Sequence, residues 1–279
     1  MLFDIFKAII FGIVEGICEW LPISSTGHLI LLDKIISLRV SENELLNTQF
    51  KNMFDVVIQL GAILAVVVIY WKRLTPTKKE NLPLLGKLIL VTIPTAIIGF
   101  LADALCESLL GVDVDTLLFT PFTVALSLII YGIIFVLIEL SKKLKNRATK
   151  EITSLRAVSI GLFQSLAIIP GTSRSGATIL GARLLGINRK ESTEFSFFAA
   201  VPAILGASAL KIFEFSKFMT DTDSKLTTNA YCLLIVAFIC AFFVSVPIIK
   251  FFIGFLRKHT LIPFGIYRIA LGILVLIIL

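Results

Sequence analysis

The chain has 279 residues, 57% of them hydrophobic and only 16% charged, with a mean hydropathy of +0.97, whereas a soluble domain is about 45–50% apolar and roughly 25% charged. This composition excludes an ordinary soluble enzyme, and apolar runs this long exclude the alternating strands of an outer-membrane barrel. The net charge of +7 is spread over short loops between apolar segments, as at a cytoplasmic membrane face, so no nucleic-acid partner is expected.

In chain order, the first apolar segment is 2–36. It is interrupted by "EGICEWLPISSTGH" (Glu15 to His28) and has no A-x-A exit site, so no cleaved leader is expected. A membrane-spanning helix needs about 20 mostly apolar residues. Uninterrupted candidates follow at 54–71, 84–102 and 117–140. The segment 156–187 is broken in its middle by "PGTSRSGAT" (Pro170 to Thr178), and further spans are expected at 195–213, 229–255 and 260–279. The reading is an all-α polytopic membrane protein with six transmembrane helices and two re-entrant helical hairpins, since irregular backbone at membrane depth is tolerated only where protein buries it or a polar cavity adjoins it. Cys18, Cys106, Cys232 and Cys240 form no CxxC pair and read as buried small hydrophobes.

Loop charge orients the chain. If 72–83 ("KRLTPTKKENLP") is cytoplasmic, alternation puts the acidic 103–116 outside and the strongly basic 141–156 inside. A re-entrant 156–187 then keeps "NRKEST" (188–193) inside, 214–228 outside and "RKH" (257–259) inside, which satisfies the positive-inside rule best. Both termini come out on the extracytoplasmic side.

The two broken segments resemble each other. With Ser24 aligned on Ser173, Gly12 falls on Gly161, Glu15 on Gln164 and Gly27 on Gly176. One hairpin would enter from outside and the other from inside. That is the pattern of an inverted-topology repeat, with halves of about 1–140 and 141–279 in one integral-membrane domain and a site near the midplane.

Both breaks carry chemistry. Glu15 and Glu19 lie four apart on one helix face; two buried carboxylates repel, so one holds a proton or a cation bridges them. The structural alternative is that they snorkel toward water, but ionisable residues at membrane depth are functional candidates by default. His28, beside Ser24 and Ser25, is an acid/base candidate. Arg174 offers a rigid fork of donors that matches a phosphate, and Ser173, Ser175 and Thr178 add hydroxyls. A helix starting near Ser175 would point its positive N-terminus at an anion. Pairing with a glutamate would explain Arg174 alone, but not the surrounding hydroxyls. Together the breaks suit phosphoryl transfer on an ester with a lipid tail.

"EGICEWLPISSTGH" with "PGTSRSGAT" resembles the paired signature motifs of the undecaprenyl-diphosphate phosphatase family, also called bacitracin-resistance proteins. "FDVVIQLGAILAVV" (54–67), "EFSFFAAVPAILGA" (194–207) and "IPFGIYRIALG" (262–272) extend the resemblance over nearly the whole chain. It implies hydrolysis of undecaprenyl diphosphate to the monophosphate, which recycles the lipid carrier of cell-wall synthesis in the bacterial cytoplasmic membrane. It places functional positions on Glu15, Glu19, Ser25, His28, Ser173, Arg174 and Thr178, and implies a divalent cation, Mg²⁺ or Ca²⁺, at the acidic pair. In the expected scheme Ser25 attacks the terminal phosphorus from a pocket open to the extracytoplasmic face. His28 acts as acid/base, Glu19 tunes His28 or holds the cation, and Glu15 stands behind. Direct attack by water activated by the glutamates is the rival scheme, with Ser25 only a phosphate ligand; Ser24 is a phosphate-binding candidate beside Ser173, Ser175, Thr178 and Arg174. The expected partners are the polyprenyl diphosphate and membrane lipids, with a homodimer among the open assemblies. A polyprenyl-phosphate flippase is the alternative function, because inverted repeats with broken helices also mark transporters.

Overall fold

The computed structural model describes residues 2–112, 114–141, 149 and 151–278; Asp113 and the basic run 142–148 lie outside the described residues. Among the described residues the structure is helical, with one isolated bridge between Thr149 and Ile187. The main helices are α1 (Leu2–Cys18), α2 (Ser25–Ile36), α3 (Glu44–Ile69), α4 (Leu82–Leu110), α5 (Pro121–Leu140), α6 (Ser154–Ser165), α7 (Arg174–Leu184), α8 (Arg189–Asp221), α9 (Thr228–Leu256) and α10 (Ile262–Ile278).

Their ends follow local chemistry. Asn43, Thr120, Thr153, Asn188 and Thr227 cap α3, α5, α6, α8 and α9 by accepting first-turn N–H groups. Gly111 closes α4 at φ 70, in the left-handed region that only glycine enters freely. Among the described residues five helices, α3, α4, α5, α8 and α9, are long and apolar enough to cross a membrane, α4 with its preceding turn from Lys79. The expected sixth span is shorter than anticipated: α10 has 17 residues. Several helices also outrun their apolar stretches. α3 begins at Glu44 rather than near 54, α4 continues to Leu110, and α8 runs over 189–221. Hydropathy marks the part of a helix that meets lipid, whereas helix length is set by backbone bonding and caps, so polar turns extend beyond it.

The two interrupted segments are helix pairs. α1 and α2 are separated by 19–24; α6 and α7 by a 3₁₀ turn (Leu166–Ile168) and the stretch 169–173. Packing partners are exchanged between them. α1 packs on α9, whereas α6 packs on α4; α3 packs on α8 and α5 on α10. The two aligned glycines mediate the first two contacts. A Cβ on Gly12 would collide with the Ala237 carbonyl, and one on Gly161 with the Val91 carbonyl. Among the described residues three buried clusters result. One centres on Phe11, Phe50, Phe54 and Leu233; a second on Trp20, Val91, Ile160, Phe197 and Phe252; a smaller third on Val124, Leu128 and Val275, where α5 meets α10. Large apolar side chains cover the outside, such as Ile89, Phe100 and Leu105 on α4 and Phe243 on α9. A water-soluble surface does not sustain so extensive an apolar exterior. All four cysteines are free, but only Cys18 is buried; Cys106, Cys232 and Cys240 are partly buried, and Cys240 faces Gly12 where α1 crosses α9.

Candidate active site

The two breaks meet. Each ends on a serine that caps the following helix from an unusual backbone conformation: Ser24 at φ 73 and Ser173 at φ 70. Each Oγ accepts from the N–H three residues on, Gly27 for Ser24 (3.2 Å) and Gly176 for Ser173 (3.1 Å). Non-glycine residues held at positive φ carry strain that concentrates at functional sites. Both breaks are fastened by Arg268 of α10, which is fully buried. Its Nη1 donates to the Pro22 carbonyl (3.2 Å), and its Nη2 donates to the carbonyls of Gly171 (2.8 Å) and Thr172 (3.0 Å). Among the described residues no carboxylate pairs with Arg268. Its charge is met by carbonyl dipoles and the Tyr131 ring, whose centroid is 5.6 Å away.

At the junction, Ser25 Oγ donates to Glu19 Oε2 (2.9 Å), while Glu19 Oε1 accepts from Arg174 Nη2 (2.6 Å). Arg174 Nη1 donates to the Ser196 carbonyl (2.8 Å), and Arg174 Nε is buried without a partner. One carboxylate therefore joins a hydroxyl of the first hairpin to the guanidinium of the second. Ser173 and Arg174 are half-buried, and the Ser173 and Ser175 hydroxyls are hydrogen-bonded to each other at 3.1 Å.

Several expected residues are placed differently. His28 does not contact Ser25 or Glu19. Its Nδ1 lies 2.7 Å from the Ser24 carbonyl and its Nε2 lies 2.6 Å from Tyr267 Oη. Three residues on from Ser25, the imidazole turns back along α2 to its own helix start and outward to α10. Thr178 is fully buried and donates to the Arg174 carbonyl (2.7 Å), with Gln164 Oε1 at 3.4 Å. A threonine inside a helix commonly bonds back four residues, so the Thr178 hydroxyl is engaged by the backbone of its own helix. Ser175 is buried behind Ser173. Tyr267 and Arg268 were not singled out from the sequence, although an arginine within the apolar run 260–279 is itself a signal. Tyr267 carried none.

For a cation, the acidic pair fits in part. Glu15 is fully buried and both of its carboxylate oxygens lack a hydrogen-bond partner, which suits a cation ligand. Glu19 is already engaged by Ser25 and Arg174. Among the described residues no group of three or more His, Cys, Asp or Glu side chains is assembled, so oxygens of a bound diphosphate would have to complete the shell.

Comparison with known proteins identifies the family. The family described as "Bacitracin resistance protein BacA" matches residues 8–274. The chain is 45% identical to an undecaprenyl-diphosphatase of Enterococcus faecalis, over 99% of this chain and 97% of the relative. It is 46% identical to undecaprenyl-diphosphatase 1 of Clostridioides difficile strain 630, and 46% identical to the undecaprenyl-diphosphatase of Streptococcus mutans; each match covers 99% of this chain and 96% of the relative.

Proposed function

Because the chain belongs to the bacitracin resistance protein BacA family and is an undecaprenyl-diphosphatase, we propose that its hydrolysis runs through Ser25, Glu19 and Arg174 at the meeting of the two breaks. The enzyme converts undecaprenyl diphosphate to undecaprenyl phosphate and inorganic phosphate, and on this reading recycles the lipid carrier of cell-wall synthesis. The observation that carries the assignment is the continuous chain from Ser25 Oγ through the Glu19 carboxylate to Arg174 Nη2.

A serine hydroxyl is a weak nucleophile until a neighbouring base takes its proton. Glu19 holds that position. As Ser25 Oγ bonds to the terminal phosphorus, its proton passes to Glu19 Oε2 and the bridging oxygen leaves with undecaprenyl phosphate. Water then attacks the phosphoserine and releases phosphate. Arg174, with donors left over from its two bonds, and the N-terminus of α7 with Ser173 face the oxygens on which charge develops. His28 serves as the acid/base group further out, and Ser24 holds the start of α2. Glu15 and Glu19 would hold a divalent cation, Mg²⁺ or Ca²⁺, which when bound supplies Lewis-acid neutralisation of the phosphates.

The same reading covers the membrane arrangement. α10 joins the five longer helices as a sixth span. Its 17 residues rise about 25 Å, which suits a bilayer thinned around the protein. The pairs α1/α2 and α6/α7 are the re-entrant hairpins of an inverted repeat, supported by the exchanged packing partners. The chain sits in the bacterial cytoplasmic membrane with the site open to the extracytoplasmic side, supported by the loop charges.

The test is acid-quenched enzyme incubated with labelled polyprenyl diphosphate. Phosphate on Ser25, with Ser25→Ala slowed by about a thousandfold or more, is the expected result. Substantial turnover by Ser25→Ala, with oxygen from labelled water entering phosphate and no protein-bound species, overturns it in favour of direct attack by water.

A further inference from the structure

The His28 ring is held at both nitrogens. Nδ1 lies 2.7 Å from the Ser24 carbonyl oxygen. A carbonyl can only accept, so Nδ1 carries a hydrogen. In the neutral ring the remaining nitrogen, Nε2, then presents a lone pair. What Nε2 meets, at 2.6 Å, is the hydroxyl of Tyr267, 239 residues away in the chain. The Tyr267 hydroxyl therefore donates to Nε2. The two rings are parallel within 2°, with centroids 5.6 Å apart.

This contact is built rather than incidental. The next residue on α10, Arg268, is bonded to carbonyls of both breaks, which sets the height of α10 against the hairpin that carries His28. Gly265 fixes the same helix against α5. Its Cβ would collide with the Gly132 carbonyl, and a Cβ on Gly132 with the Gly265 carbonyl. With α10 held at these points, the phenol of Tyr267 has little room to slide along the imidazole. Tyr267 is nevertheless 44% exposed, so burial alone does not account for its placement.

We propose that Tyr267 is a positioning residue for the phosphatase reaction: its hydroxyl, bonded to Nε2, holds the His28 ring in the orientation in which Nδ1–H meets the Ser24 carbonyl, and it yields Nε2 when that nitrogen accepts or returns a proton. The inference rests on the reading of His28 as the acid/base group. No direct contact between Tyr267 and the reacting phosphate is part of it.

The chain contains two histidines, so full-length protein labelled with ¹⁵N-histidine and held in nanodiscs gives two imidazole signatures. His259→Gln removes the second and identifies His28. The expected result is a protonated Nδ1 and a hydrogen-bonded, unprotonated Nε2 for His28. In Tyr267→Phe the Nε2 signal shifts, because the hydroxyl that donates to it is gone. In the same variant kcat for phosphate release falls about tenfold, the order of one lost orienting hydrogen bond, with KM little changed. An unchanged Nε2 signal in Tyr267→Phe, or a shifted signal with wild-type kcat, overturns the proposal. The underlying reading fails separately: His28→Gln with wild-type kcat removes His28 from the chemistry, whereas an inactive His28→Gln beside a fully active Tyr267→Phe removes only Tyr267.

Discussion

Arg174 shows how much of a site is visible in residue type and how much is not. An arginine flanked by serines and glycines in an apolar chain announces an anion site, because the charge is too expensive at membrane depth to be idle. At the level of sequence, pairing with a glutamate is a competing explanation for its presence. In the structure the carboxylate that pairs with Arg174 also holds the Ser25 hydroxyl. The planar guanidinium can serve the Ser196 carbonyl, Glu19 and a phosphate from separate N–H groups, whereas an ammonium concentrates its donors at one point. Arg174→Lys should therefore lower kcat about a hundredfold, the scale of a lost charge-stabilising donor, in a detergent assay of phosphate release from a short-chain polyprenyl diphosphate. Near wild-type turnover would remove Arg174 from the cradle. For His28 the residue type was legible but its partner was not: spacing brought it near Ser25, and the actual partner, Tyr267, comes from the far end of the chain.

Among the elements, the hairpins were readable because proline, glycine and serine interrupt otherwise apolar runs. Helix breaks are made by near neighbours, and near neighbours are what a sequence displays. Helix ends were read less well, since apolar length and hydrogen-bonded length are different quantities, as α3 and α8 show. Glycines at helix crossings carry a further element-level consequence. Gly161 lets α6 approach α4 until a side chain would overlap the Val91 backbone, so Gly161→Leu must push the hairpin away from its support. It should lose about 3 kcal/mol of stability, the upper end of the usual cost of overpacking, measured as thermal unfolding in detergent, and lose activity in parallel. Gly206, on an outward face of α8 with open space around it, provides the control: Gly206→Leu should change stability by no more than about 0.5 kcal/mol. Equal stability of the two variants would show that the α4–α6 crossing tolerates separation.

For the whole molecule, loop charges and exchanged packing partners support one arrangement, in which two hairpins enter from opposite faces and meet between the long helices. Sidedness can be tested at exposed, described positions. In a variant without the native cysteines, Thr222→Cys should react with an impermeant thiol reagent in intact cells, because this arrangement puts the end of α8 outside. Lys79→Cys, in the turn before α4, should react only after permeabilisation. The reverse pattern would invert the topology and place the phosphatase site toward the cytoplasm.

The amino-acid sequence by itself determined the membrane class, the location of both helix breaks, and the residue types that gather there. These follow from composition, apolar run length and capping, all of which act over a few neighbouring residues. Tertiary structure decided which atoms meet: Glu19 on the Ser25 hydroxyl, Thr178 turned to its own backbone, Arg268 across both breaks and Tyr267 on His28. Those encounters depend on how closely helices cross and at what height. Here that is set by glycine-to-carbonyl contacts between segments more than a hundred residues apart, such as Gly132 with Gly265 and Gly12 with Ala237, and no local pattern in either segment specifies its partner.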